Sequence, residues 1–225
     1  MMTRLGSMLA ALVLVVEVLA VLPSAPTQAQ DRWDYRPLYA GWRAGALIGA
    51  DVQGLRGDEL GAVRDLVVGA DGQIRAAAVE VSGMLGLGEA EFLVPWSEVE
   101  VGPDPDTVIV QAIDADVPGL IRNSAAIGRA AGAWRVSDLM GRPVHLGRRR
   151  AFGTVTDLVF GRDGVPLAVV IVPDGGAGGP YAYPWALATV DQAFGVVRLP
   201  TTPEQLQALG PFDMQRLQDG IFAHR

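Results

Sequence analysis

A chain that repeats itself at a fixed offset folds as two versions of one unit, and this constraint outweighs any single motif here. Sliding the sequence against itself by 92 positions puts Arg43, Leu47, Gly49, Val52, Arg56, Gly61, Val63, Asp65, Leu66, Val67, Gly69, Asp71, Gly72 and Ala76 on identical residues. Their partners are Arg135, Leu139, Gly141, Val144, Arg148, Gly153, Val155, Asp157, Leu158, Val159, Gly161, Asp163, Gly164 and Ala168. Chance would supply about three matches over this stretch, so the fourteen seen establish an internal repeat. The offset then falls to 89, placing Pro95 and Trp96 on Pro184 and Trp185, and Val101 on Val190. The second copy is three residues shorter in one loop.

Within each copy the pattern is β. Residues 61–68 and 153–160 are short β-branched runs, followed by Asp71-Gly72 and Asp163-Gly164, dipeptides that supply the positive φ of a tight hairpin. The return strands, 74–81 and 167–172, are almost continuously apolar, as in strands covered on both faces or curled into a small barrel. A further strand is expected over 92–101, around Pro95-Trp96, and 107–112 closes the first unit. Five or six short strands per copy predict an all-β fold of two tandem small β-barrels with a short C-terminal helical tail. Between the copies, 125–133 reads as a short helix, weakened by Gly128 and Gly132. After the second copy Thr202-Pro203 starts a helix, Gly210-Pro211 ends it, and a further turn runs to Gly220. Leu206, Leu209, Phe212, Leu217 and Phe222 are expected to pack on a barrel.

The amino terminus reads as an address. Arg4 precedes an apolar run over 8–22, interrupted by Glu17, and then come Pro23, Ser24, Ala25, Pro26, Thr27, Gln28 and Ala29. The run has the length of a signal-peptide core and falls short of the roughly 20 residues that cross a bilayer. Thr27 and Ala29 are the small residues that cleavage after Ala29 requires. The organisation that follows is a signal peptide at 1–29, an extension at 30–42, a first barrel at 43–112, a linker at 113–134, a second barrel at 135–200 and a helical tail at 201–225. The mature chain is then periplasmic or secreted. An uncleaved segment would instead anchor it to the inner membrane with the barrels exported, since Arg4 favours a cytoplasmic start.

Both copies resemble the PRC-barrel, a domain shared by the photosynthetic reaction-centre H subunit, a small-subunit ribosome maturation factor and many bacterial and archaeal proteins. The resemblance rests on residues 47–52, LIGADV, on 57–68, GDELGAVRDLVV, on the Asp71-Gly72 hairpin, and on 83–89 and 94–99, GMLGLGE and VPWSEV. The second copy keeps Leu139-Met140-Gly141 and Pro184-Trp185, while Arg148-Arg149-Arg150-Ala151 replaces its Gly-Asp-Glu step and a glycine-rich stretch at 175–179 replaces the Gly-Leu loop. Gly49, Gly61, Asp65, Gly72, Pro95 and Trp96, with Gly141, Gly153, Asp157, Gly164, Pro184 and Trp185, are the motif positions. The resemblance implies a β-barrel that docks other macromolecules and has no common active site.

Composition narrows the chemistry. The chain has no Cys, which excludes disulfides, thiol catalysis, thiolate zinc sites and lipid attachment through an N-terminal Cys. Only His145 and His224 are present, so a histidine metal cluster lacks ligands, and neither a metal, a cofactor nor a catalytic residue is expected. The formal net charge of −7 argues against a nucleic-acid partner, which needs a basic face to replace counterions. The charge divides unevenly: residues 43–101 hold four Arg against ten acids, a net of −6, and 135–190 hold six Arg against four Asp, a net of +2.

Gly83, Gly86 and Gly88 carry no helix after them to present N–H groups to a phosphate, so they read as a hairpin loop with Met84, Leu85 and Leu87 at its tip. Apolar residues on a tip either fold back or form a small docking surface, and this tip is the leading candidate for partner contact. Arg148, Arg149 and Arg150, near Arg142, are the second candidate, a turn that is either simply solvated or meets an anionic partner, a lipid headgroup or the acidic first barrel. Asp65 and Asp157 occupy equivalent strands, each followed by Leu-Val, and read as structural hydrogen-bonding groups of the barrel wall rather than an acid/base dyad. Trp96 and Trp185 read as core anchors, and His145 as a surface or barrel-edge residue. The function that follows is an exported, non-catalytic interaction or assembly module of the cell envelope, with a protein partner, at most weak membrane-surface contact and no small-molecule substrate. The alternatives are a small-ligand or anion site in the groove between barrels, or a membrane-anchored protein related to photosynthetic complexes. A ribosomal role has the wrong compartment and the wrong sign of charge.

Overall fold

The two Asp-Gly turns form as their chemistry requires. Gly72 and Gly164 sit at φ 82° and 78°, and each hairpin is closed by paired backbone bonds, Gly69 N–H to Gln73 and Gly161 N–H to Val165. The strands on either side are β3 (Glu59–Val68) with β4 (Ile74–Val81), and β10 (Arg150–Phe160) with β11 (Pro166–Pro173). This computed structural model describes residues 33–81, 90–101, 106–112, 116–128, 133–147, 150–176, 178–191 and 193–219. The proposed signal peptide, the Met84, Leu85 and Leu87 tip with Gly83, Gly86 and Gly88, Arg148 and Arg149, and Phe222 and His224 lie outside the described residues.

Each copy adds the same further elements in the same order. The first has β2 (Asp51–Gln53), β5 (Ala90–Pro95), β6 (Val99–Val101) and β7 (Thr107–Val110). The second has β9 (Pro143–Leu146), β12 (Tyr181–Pro184), β13 (Thr189–Asp191) and β14 (Val196–Leu199). They form two seven-stranded sheets, with spatial orders β5-β4-β3-β2-β7-β6 and β12-β11-β10-β9-β14-β13. One parallel pair turns up in each, β2 with β7 and β9 with β14, and all other pairs are antiparallel. The expected all-β fold with two barrel-like units and a short helical tail is therefore observed.

The seventh strand of each sheet comes from the other copy. β1 (Trp42–Arg43), which leads the first repeat, pairs with β10 in the second barrel, Trp42 opposite Phe160 and Arg43 opposite Val159. β8 (Trp134–Arg135), which leads the second repeat, pairs with β3 in the first barrel, Trp134 opposite Val68 and Arg135 opposite Val67. One apolar cluster accordingly runs through both barrels, from Leu47, Val52, Leu66 and Phe92 to Val144, Leu158, Phe160 and Leu199.

Three expectations need correction. The strand expected over 92–101 is two strands, because Pro95 has no N–H to continue the ladder and the chain passes through a 3-10 turn at Trp96–Glu98 before β6. The helix expected at 125–133 is α2 (Val117–Gly128), which starts earlier. Pro118 and Gly119 look like breakers, yet Pro in a first turn loses no hydrogen bond that the helix would have made. Val117, Leu120, Ile121 and Ser124 then fall on one face at helical spacing, where all are buried or half-buried, with Arg122 exposed. His145 is not at a barrel edge: β9 lies between β10 and β14. In the tail, α3 (Pro203–Gln207) is capped by Thr202, whose side chain accepts the Gln205 N–H, and α4 (Met214–Asp219) follows. Leu206, Phe212 and Leu217 are buried and Leu209 half-buried, as packing on a barrel requires.

Candidate functional site

The repeated carboxylates meet the other repeat. Asp157, buried on β10, accepts hydrogen bonds from its neighbour Leu158 N–H at 2.9 Å, from Gly45 N–H at 3.0 Å and from Arg43 Nη1 at 3.3 Å. Gly45 lies on α1 (Ala44–Leu47), the turn that follows β1. On the opposite side Asp65, buried on β3, accepts Leu66 N–H at 2.8 Å and Ser137 N–H at 3.2 Å, and the Ser137 hydroxyl donates to it as well. Arg135 stands 4.0 Å from Asp65 and forks onto Glu91, with Nη1 at 3.0 Å from Oε2. The structural role expected of both Asp residues holds, but it is a role between barrels rather than within one wall.

The two halves of this junction are not equally satisfied. Ser137 aligns with Gly45, which has no hydroxyl, and Glu91 aligns with Pro180, which has no charge. Arg43 Nε is buried without a partner. Burial pushes the Asp157 carboxyl above its ordinary value, opposed by the Gly45 and Leu158 N–H groups and by Arg43. The Glu91 fork, against some desolvation, raises the Arg135 pKa further.

The two tryptophans serve the same junction. A Cβ added at Gly164 would stand 2.7 Å from Trp96 Cδ1, and one added at Gly72 would stand 2.9 Å from Trp185 Nε1, so each indole lies against the opposite barrel's hairpin. Trp96 meets Phe160 edge-on at 5.6 Å, and Trp185 meets Trp134 at 5.8 Å. Both indoles are half-buried and pack against the apolar cluster that runs through both barrels. Ile74 N–H donates to Gly164 C=O at 2.9 Å. The mirror bond is missing because Pro166 occupies the position equivalent to Ile74. Sequence reasoning missed Trp42, Trp134 and Ser137. Extending the 92-residue offset by one position, from Arg43 to Trp42, would have found the tryptophan pair.

A cleft of about 240 Å³ lies at this junction, lined by Val67, Leu93, Ala133, Trp134, Arg135 and Asp138. A cleft of about 520 Å³ opens on barrel 1, lined in part by Asp51, Glu59, Arg64 and Glu80, with Arg64 Nε 3.4 Å from Glu80. Among the described residues no three His, Asp or Glu side chains are grouped so as to hold a metal ion. Of the docking candidates, Arg150 is exposed at the start of β10. The Glu204 carboxyl is lowered by its own backbone N–H first, then by Thr202, with a contribution from the Arg150 charge. The Met84–Leu87 candidate falls between β4 and β5, whose facing ends are Val81 and Ala90. His145 is half-buried with Nδ1 enclosed and unpartnered.

A family model described as the PRC-barrel domain matches residues 43–117. No curated protein matches the chain.

Proposed function

From a chain that carries a PRC-barrel domain and then repeats it, we propose an exported, non-catalytic adaptor that holds a protein partner in the cell envelope. The observation that carries the reading is how the side chains shared by the two repeats are used. Asp65, Asp157, Arg43 and Arg135 are engaged with one another and with backbone donors across the junction, which leaves the loops and outer faces for function. The leading segment over 1–29 supports export. The partner-binding element is the loop between β4 and β5, where Met84, Leu85 and Leu87 follow one another in a hairpin connection that needs no apolar residue for its turn. Arg150, with Arg148 and Arg149 beside it in sequence, offers a second, anion-seeking contact.

The test is crosslinking and pull-down from intact envelopes with wild type and with Met84→Ser, Leu85→Ser and Leu87→Ser combined. A specific envelope protein captured by wild type should be lost from the variant while its thermal midpoint stays unchanged. Equal capture by both would remove the loop from the reading.

A further inference from the structure

The two barrels carry one kind of outer face and fill it differently. On barrel 2, Val159, Ala168, Val170 and Ala182 share a buried cluster with Leu38, from the turn Leu38–Ala40, and with Phe212 and Leu217 of the tail. Tyr39 adds to the filling by stacking on Phe212 at 5.4 Å. On barrel 1 the same repeat positions are Val67, Ala76, Ala78 and Leu93, which form a smaller cluster with Ala133 packed against it.

The sequence gives barrel 1 no counterpart of those large side chains. The 92-residue offset that puts Trp42 on Trp134 also puts Leu38 and Tyr39 on Ala130 and Ala131. Beyond the last strand of each copy the 89-residue offset still holds, because Leu206 and Leu209 fall on Val117 and Leu120, and both pairs pack in or against the main apolar cluster. The same offset puts Phe212 and Leu217 on Asn123 and Gly128. Three large apolar side chains thus become Ala, Asn and Gly, and the one gain is Leu93 in place of Ala182.

The cleft of about 240 Å³ opens on this under-filled face, walled by Val67, Leu93, Ala133 and Trp134. It continues the barrel junction, since Trp134 belongs to β8, the strand that crosses from the second repeat. Apolar walls with no atoms opposite them forgo dispersion contacts, which a side chain of fitting size restores. The rim is acidic: Asp138 is exposed, the Arg135 charge is engaged by the Glu91 fork, and residues 43–101 hold four Arg against ten acids.

We propose that this cleft is a socket for one leucine-type side chain of a partner protein, carried beside a basic residue. Barrel 2 obtains such a filler from its own chain, where Leu38 follows Arg36 by two positions, and barrel 1 takes it from outside. A single apolar anchor seated in a pocket is a common centre of a protein interface, and the basic neighbour answers Asp138 and the charge of barrel 1. The socket uses none of Met84, Leu85 and Leu87, so failure of the β4–β5 loop as an adaptor would leave it standing.

The test titrates the full chain into a fluorescent synthetic peptide with the sequence of residues 35–41, the segment that carries Leu38, and follows anisotropy. Saturable binding is expected, weakened about tenfold when the peptide leucine is replaced by alanine, and weakened about tenfold by Ala133→Leu, which fills the cleft from within. Asp138→Asn keeps an oxygen for the Arg135 N–H that Asp138 accepts at 3.2 Å, and it should weaken binding about twofold at low salt and not at high salt. The combined Met84→Ser, Leu85→Ser and Leu87→Ser variant should bind the peptide as wild type does. Absence of saturable binding would overturn the proposal. So would binding that Ala133→Leu leaves unchanged, which would put the peptide on barrel 2 in exchange for residues 35–41 of the chain. If Ala133→Leu lowers the thermal midpoint, Asp138→Asn decides, and equal binding by Asp138→Asn and wild type at low salt would overturn the socket.

Discussion

Asp157 is held where water is scarce by three donors, and the balance between burial and those donors sets its proton affinity. Its pKa is raised above the ordinary 3.8, so the folded chain binds this proton more tightly than the unfolded chain does. The stabilisation linked to that proton is complete below the ordinary carboxylate pKa and is lost as pH rises through the raised folded value. Asp157→Asn keeps an oxygen for Gly45 and Leu158 and has no such proton. Thermal midpoints of wild type and variant, followed upward from about pH 4, should therefore diverge, with wild type losing stability relative to Asp157→Asn. Parallel curves would show that burial does not govern this carboxylate. The identity of Asp65 and Asp157 as paired structural acids was legible in sequence, since the repeat aligns them. Their partners were not, because Gly45 contributes only a backbone N–H and no side-chain pattern announces it.

At the scale of elements, the β3–β4 and β10–β11 hairpins do two jobs with one residue type. Gly72 and Gly164 supply the left-handed backbone of the turn, and their missing side chains leave room for Trp185 and Trp96 of the opposite barrel. Gly72→Ala and Gly164→Ala should each destabilise the chain by about 1–3 kcal/mol from backbone strain alone, with the opposing indole adding to it. Urea titrations measure this, and tryptophan fluorescence should change with each substitution, because an indole has to move. An alanine tolerated within about 0.5 kcal/mol would mean the indoles do not rest on these turns. The turns themselves could be read from Asp-Gly, and the long strands from their apolar runs. The β5–β6 break and the early start of α2 could not. In both cases a proline acts through which hydrogen bond it fails to make, and that depends on its place in an element not yet known.

For the whole molecule, the reciprocal placement of β1 and β8 makes the two barrels one cooperative unit. Each barrel lacks a strand when the other is removed, and each buried Asp then loses the Arg beside it. Stranding a buried charge in this way costs about 3–5 kcal/mol, a large share of the stability of a domain this size. Separately produced halves, 33–112 and 133–219, should each lack a cooperative urea transition and near-ultraviolet circular dichroism, and both signals should appear on mixing at equal concentrations. Halves that unfold cooperatively alone, at the midpoint of the intact chain, would show that the exchanged strands add nothing to stability.

The sequence by itself determined that two copies of one β unit exist, where their hairpins turn, and which residues the copies share. These features are encoded by near neighbours, so periodicity and turn chemistry expose them. Only the tertiary structure decided that each Trp-Arg strand crosses to the other barrel, that the tryptophans rest on opposing turns, and that Leu38, Phe212 and Leu217 share one cluster on a face of barrel 2. Arg43 and Asp157 are 114 positions apart, and a two-residue strand has no pattern of its own. Which sheet such a strand joins is settled by the shape and charge of the surface it meets, a property that arises only once both barrels have formed.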